Sequence, residues 1–91
     1  MPKQFIAIQV FGKVQGVWFR ASTQKKALAL NICGTVQNNP DGSVYIEASG
    51  TPAAIADLLD WCQTGPPHAR VDRLVQKPIG KKEFTTFEIL R

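Results

Sequence analysis

The chain has 91 residues, of which 44% are hydrophobic and 20% charged, with a formal net charge of +4. That length suits one domain around a single core and leaves no room for a separate regulatory unit. No run approaches the roughly 20 apolar residues that span a bilayer, and two cysteines with one histidine fall short of a structural zinc site.

Residues 1–4 lead into alternating sequence rather than the apolar core of a leader, so a cytoplasmic protein with reduced cysteines is expected. Residues 5–11 read as a strand with Ile6, Ile8 and Val10 on one face. Next comes Gly12-Lys13-Val14-Gln15-Gly16-Val17-Trp18-Phe19-Arg20, ahead of a helix-like segment from Ala21. Gly12 and Gly16 let the backbone bend and expose its amides, because neither has a Cβ to forbid unusual φ/ψ. Successive amides backed by a helix N-terminus make a concave donor cluster for a phosphate-sized anion. The backbone of Gln15, Gly16, Val17, Trp18, Phe19 and Arg20 would line it, with the Arg20 guanidinium as a two-pronged grip at the rim. Neither GxxxxGK[ST] nor GxGxxG is present, so this is not a nucleotide signature. The plainer alternative is a glycine turn joining strand to helix.

Residues 21–31 are rich in helix formers, with Leu28 and Ile32 at helical spacing. A strand over 35–38 follows Gly34, then the turn Asn39-Pro40-Asp41-Gly42, then a strand over 43–48 with Val44, Ile46 and Ala48 on one face. Together they predict a hairpin. Thr51 and Pro52 mark a helix start, and Ile55, Leu58, Leu59 and Cys62 form its core-facing stripe. Gly65-Pro66-Pro67 ends that helix, and strands are predicted over 71–75 and 84–90. The order predicts an α+β, ferredoxin-like βαββαβ sandwich over residues 1–91. It has an antiparallel sheet, two helices on one face and a short extra C-terminal strand. That plan hosts many activities and does not choose among them.

Gly12-x-Val14-Gln15-Gly16-Val17-x-Phe19-Arg20 resembles the first signature of the acylphosphatases. Gly34-x-Val36-x-Asn38-x-x-Asp41-Gly42-x-Val44 resembles the second, and Gly65-Pro66-Pro67 with Ala69 and Val71 is similar to the segment after that family's second helix. The resemblance implies hydrolysis of the carboxyl-phosphate bond of acyl phosphates, giving a carboxylate and inorganic phosphate. It puts the phosphate-binding arginine at Arg20 and the water-positioning asparagine at Asn38. Two departures stand out. Many members carry an aromatic residue where Thr35 stands and a basic one where Gln37 stands, neither at a catalytic position. Asn39 and Ser43 match the family's polar supports by type only.

The chemistry fits a sparse site. An acyl phosphate already has a good leaving group, so the protein need only hold the phosphoryl group and aim a water. Asn38 cannot titrate as a base, but its oxygen accepts from water and its NH2 donates to a phosphoryl oxygen. Locally, an Asn entering a β-turn also reads as a turn-former, and Arg20 as a solvated arginine. His68 lacks an orienting partner and reads as a surface loop residue; Trp18 and Trp61 read as packing residues, and Cys33 and Cys62 as small core residues.

No cofactor or metal is expected. The expected partners are a small acyl phosphate, for which acetyl phosphate, carbamoyl phosphate and 1,3-bisphosphoglycerate are candidates with nothing in the sequence choosing among them, and inorganic phosphate as product and inhibitor. A monomer is expected, with no nucleic acid or membrane partner. The rival reading is a non-catalytic or nucleic-acid-binding ferredoxin-like module. Against an RNA-recognition sheet, Val44-Tyr45-Ile46-Glu47-Ala48 offers one aromatic and an acid.

Overall fold

The computed structural model describes residues 3–90, so residues 1, 2 and 91 of the expected domain lie outside the described residues. The elements are β1 (Gln4–Lys13), α1 (Phe19–Ala29), β2 (Cys33–Asn38), β3 (Val44–Gly50), α2 (Pro52–Cys62), β4 (Arg70–Pro78) and β5 (Phe87–Ile89). The sheet order is β4-β1-β3-β2-β5. The first four strands pair antiparallel, as the ferredoxin-like reading requires, and β5 adds in parallel beside β2.

Alternation explains the buried face. Ile6, Ile8 and Val10 of β1 join Val44, Ile46 and Ala48 of β3 and Val36 of β2 in one core. α2 covers it with Ile55, Leu58 and Cys62, and Leu59 packs at the margin. Thr51 caps that helix by accepting from Ala54 N at 3.2 Å, with Pro52 in its first turn.

α1 departs from the predicted pattern. It begins at Phe19, not near Ala21, and its buried stripe is Phe19, Thr23 and Ala27, whereas Leu28 is 49% exposed. Ile32 is buried from outside the helix. Asn31, at φ 58, ends α1 in the left-handed conformation, Asn31 N donates to Leu28 O at 3.2 Å and Ile32 N to Ala27 O at 2.9 Å. This is a Schellman ending, in which the residue after the left-handed one carries the apolar contact.

β4 runs through Pro78, longer than predicted; as an edge strand it tolerates a proline and leaves most of its side chains exposed. Residues 79–86 then pass from one side of the sheet to the other over the face opposite the helices. Ile79 N donates to Phe5 O at 3.0 Å, Lys82 Nζ reaches Glu47 at 2.8 Å, and Thr86 O accepts from Gly34 N at 3.0 Å.

Candidate active site

β1 is bulged between Phe11 and Gly12, where the chain turns into the connecting loop. Gly12, at φ 134, lies so close to β4 that a Cβ would strike the Arg70 carbonyl. Val14 and Val17 are buried and pin the loop from below. Gly16 (φ 73) and Trp18 (φ 67) bend it back on itself. Gly16 has open space around it, so its backbone conformation, not its surroundings, calls for glycine.

Trp18 is the N-cap of α1, and its side chain makes no capping bond. Its carbonyl accepts from Ser22 N at 2.9 Å, the first bond of the helix. No acidic side chain stands in the first turn. Among the described residues, no backbone N–H of residues 15–21 donates to a protein acceptor. A run of unpaired donors at the positive end of a helix is a binding site for an anion.

The second wall comes from the β2–β3 hairpin. Asn39 N donates to Ser43 O at 2.8 Å and Gly42 N to Asn39 O at 3.1 Å, with Gly42 at φ 92. Ser43 follows the turn and is buried. Its Oγ and N donate to Asp41 Oδ1 at 2.6 and 2.9 Å, and its Oγ accepts from Gln9 Nε2 at 3.0 Å. The Ser43 hydroxyl, then the Ser43 amide, hold the Asp41 carboxyl below its ordinary 3.8. Gln15 ties this turn to the loop, its Nε2 donating to Asn39 O at 2.8 Å and Ser43 O at 3.0 Å.

Asn38 is the last residue of β2, opposite Val44. Its Oδ1 is the one buried side-chain polar atom without a partner among the described residues. An orphaned buried acceptor costs about 1–3 kcal/mol, and such exceptions concentrate where function needs them. Arg20 is half-buried in the first turn of α1 and pairs with no carboxylate among the described residues. Both residues line a single cleft of about 370 Å³, together with Gly16, Trp18, Phe19 and Ala21 of the loop and helix start. Val14 and Ile89 complete its wall.

The helix start is braced from behind. Phe19 is buried with its ring centroid 5.5 Å from that of Trp61, and Gly65, at φ 67, sits where a Cβ would hit the Phe19 ring. Thr23 Oγ1 donates to Phe19 O at 2.7 Å, and Gln24 Nε2 to Phe87 O at 2.9 Å, joining α1 to β5.

The sequence pointed to Gln15, Gly16, Val17, Trp18, Phe19, Arg20 and Asn38. Gly16, Trp18, Phe19, Arg20 and Asn38 border the cleft; the Val17 side chain packs beneath, and the Gln15 side chain turns to the hairpin. Trp18 is not a packing residue: it is 77% exposed, whereas Trp61 does pack. Cys62 is a core residue whose burial pushes its thiol up to about 12, but Cys33 is only half-buried. His68 is exposed and away from the cleft. Sequence reading missed the contributions of Ile89 and the Gln15 side chain. The polar Gln15 between apolar Val14 and Val17 was the available signal for the latter. Among the described residues no three His, Cys, Asp or Glu side chains converge as a metal site would need.

The acylphosphatase family model matches residues 6–89. An acylphosphatase of Yersinia pseudotuberculosis is 48% identical over 90 residues, covering 98% of this chain and 98% of the relative. One from Methylococcus capsulatus is 46% identical over 87 residues, covering 94% and 95%. The solved structure of an acylphosphatase from Coxiella burnetii superposes with a TM-score of 0.94 at 36% identity, over 97% of this chain and 93% of that one.

Proposed function

The chain belongs to the acylphosphatase family, and from that premise we propose how its cleft performs the hydrolysis and which residues carry it. The enzyme acts on a small-molecule acyl phosphate. In our reading the unpaired amides of residues 15–20 and the Arg20 guanidinium hold the phosphoryl oxygens. Asn38 Oδ1 accepts a hydrogen bond from the attacking water and its Nδ2 donates to a phosphoryl oxygen. The water oxygen forms the new bond to phosphorus, the phosphorus–carboxyl oxygen bond breaks, and the carboxylate leaves with the electron pair. The water's proton passes to a phosphoryl oxygen, giving inorganic phosphate. No protein base is needed, because the leaving group is a weak base and phosphoryl transfer rests on positioning and charge stabilisation.

One observation carries this reading: amides, an arginine and a buried Asn38 Oδ1, each without a protein partner among the described residues, meet on one cleft. Every one of these groups comes from a single chain, so the cleft as proposed requires no partner subunit, and we take the protein to be a monomer. Two unpaired cysteines, one deeply buried, support a reducing, cytoplasmic location. None of the described helices is long and apolar enough to cross a membrane. We take inorganic phosphate to be product and competitive inhibitor, because the cradle binds the part common to substrate and product.

The test is hydrolysis of benzoyl phosphate by the purified protein, followed by loss of its ultraviolet absorbance with and without added phosphate. Turnover with competitive inhibition by phosphate is expected. A folded protein with no turnover overturns the reading.

A further inference from the structure

Most of the large apolar side chains of this small protein are buried; Trp18 is 77% exposed, more than any other large hydrophobic residue among those described. It also sits at φ 67, ψ 19, a conformation that is unfavourable for any residue with a Cβ. An exposed tryptophan held in a strained backbone is costly on both counts, and neither packing nor helix capping accounts for it, since its side chain makes no cap bond. Its position does account for it. Trp18 borders the cleft beside Arg20 and Asn38, and the apolar residues Val14 and Ile89 are also in its lining. The lining therefore joins polar groups, Arg20 and Asn38, to apolar residues, among which Trp18 is the one whose side chain is largely exposed. At about 370 Å³ it is larger than a phosphate group needs.

We propose that the Trp18 indole is the specificity-determining surface for the organic half of the substrate, favouring acyl phosphates with a flat, apolar acyl group over small polar ones. The inference rests on acyl phosphate hydrolysis at this cleft. The backbone of Trp18 is fixed by its bond to Ser22 and by the helix it starts, so only the two side-chain torsions of the indole have to order on binding. A planar acyl group against the indole gains burial of apolar area and an offset stacking contact. An acetyl or carbamoyl group has too little surface to gain either.

The experiment compares kcat/KM for benzoyl phosphate and acetyl phosphate in the wild type, Trp18→Gly, Trp18→Leu and Trp18→Phe. The benzoyl-to-acetyl ratio should fall about tenfold in Trp18→Gly, fall less in Trp18→Leu, and recover most of its value in Trp18→Phe. Glycine also relieves the backbone strain, so the melting temperature of Trp18→Gly should not fall with the ratio, which separates recognition from folding. A Trp18→Gly ratio within threefold of wild type overturns the role of Trp18 while leaving hydrolysis at this cleft standing. A wild type that hydrolyses neither compound overturns both.

Discussion

Gln15 Nε2 lies 2.8 Å from the carbonyl oxygen of Asn39, and the same amide group reaches the Ser43 carbonyl at 3.0 Å. One side chain thus joins the β1–α1 loop to the turn that follows Asn38, and fixes the separation between the proposed phosphate cradle and the residue proposed to aim water. Gln15→Leu keeps the bulk and loses the donors. It should destabilise by about 1–2 kcal/mol and lower kcat by about 10- to 100-fold through misplacement of Asn38. Thermal melting and steady-state kinetics check this; wild-type turnover in the folded variant would show that the hairpin holds its position without Gln15.

Arg20→Lys retains a positive charge at the start of α1 but cannot grip two oxygens at once. Loss of one charge-assisted bond is worth about 1.5–3 kcal/mol, so the inhibition constant for inorganic phosphate should rise about 10- to 150-fold. Isothermal titration with phosphate measures it directly. Near wild-type affinity in the lysine variant would mean that Arg20 contributes charge alone.

Stability should depend on pH through Glu47, which anchors residues 79–86 across the sheet. Lys82 Nζ lies 2.8 and 3.0 Å from its two carboxylate oxygens, and Tyr45 Oη donates to it at 2.9 Å. Burial pushes the Glu47 carboxyl up, but the Lys82 ammonium and the Tyr45 hydroxyl outweigh it and hold it below the ordinary 4.5. A carboxyl depressed in the folded state adds stability above its unfolded value and loses it as the pH falls through its folded one. Lys82 is half-exposed, so the pair is worth about 0.5–1 kcal/mol. Glu47→Gln should therefore melt about 2–8 °C lower than wild type near neutral pH, and the gap should close in strong acid. A gap of equal size at both pH values would show that the ion pair is not its cause.

Much of this arrangement was legible in the sequence because local chemistry and tertiary structure agree there. Pro40, Asp41 and Gly42 form the hairpin turn, Thr51 and Pro52 start α2, and Gly12 and Gly16 bend the loop. What was hidden depends on conformations or contacts without a local mark. Trp18 takes a left-handed backbone that its residue type disfavours, which moved the start of α1 to Phe19. Asn31 ends the same helix before Ile32, so the spacing of Leu28 and Ile32 suggested a face that does not exist. The Gln15 bonds span 24 and 28 positions of the chain, beyond any periodicity. β4 exposes nearly all of its side chains, so no alternation revealed its length.

The separation of binding from chemistry is tested most directly at Asn38, whose Oδ1 is buried without a partner at the edge of the cleft. Asn38→Ala removes the group proposed to orient water and leaves the amides and Arg20 in place. Turnover of benzoyl phosphate should fall by about 10²–10³, the scale for losing one preorganised polar group, with little change in KM or in inhibition by inorganic phosphate. Circular dichroism and melting establish that the hairpin is intact. A folded Asn38→Ala protein that keeps full turnover, or that loses phosphate binding as heavily as rate, would contradict the role assigned to Asn38.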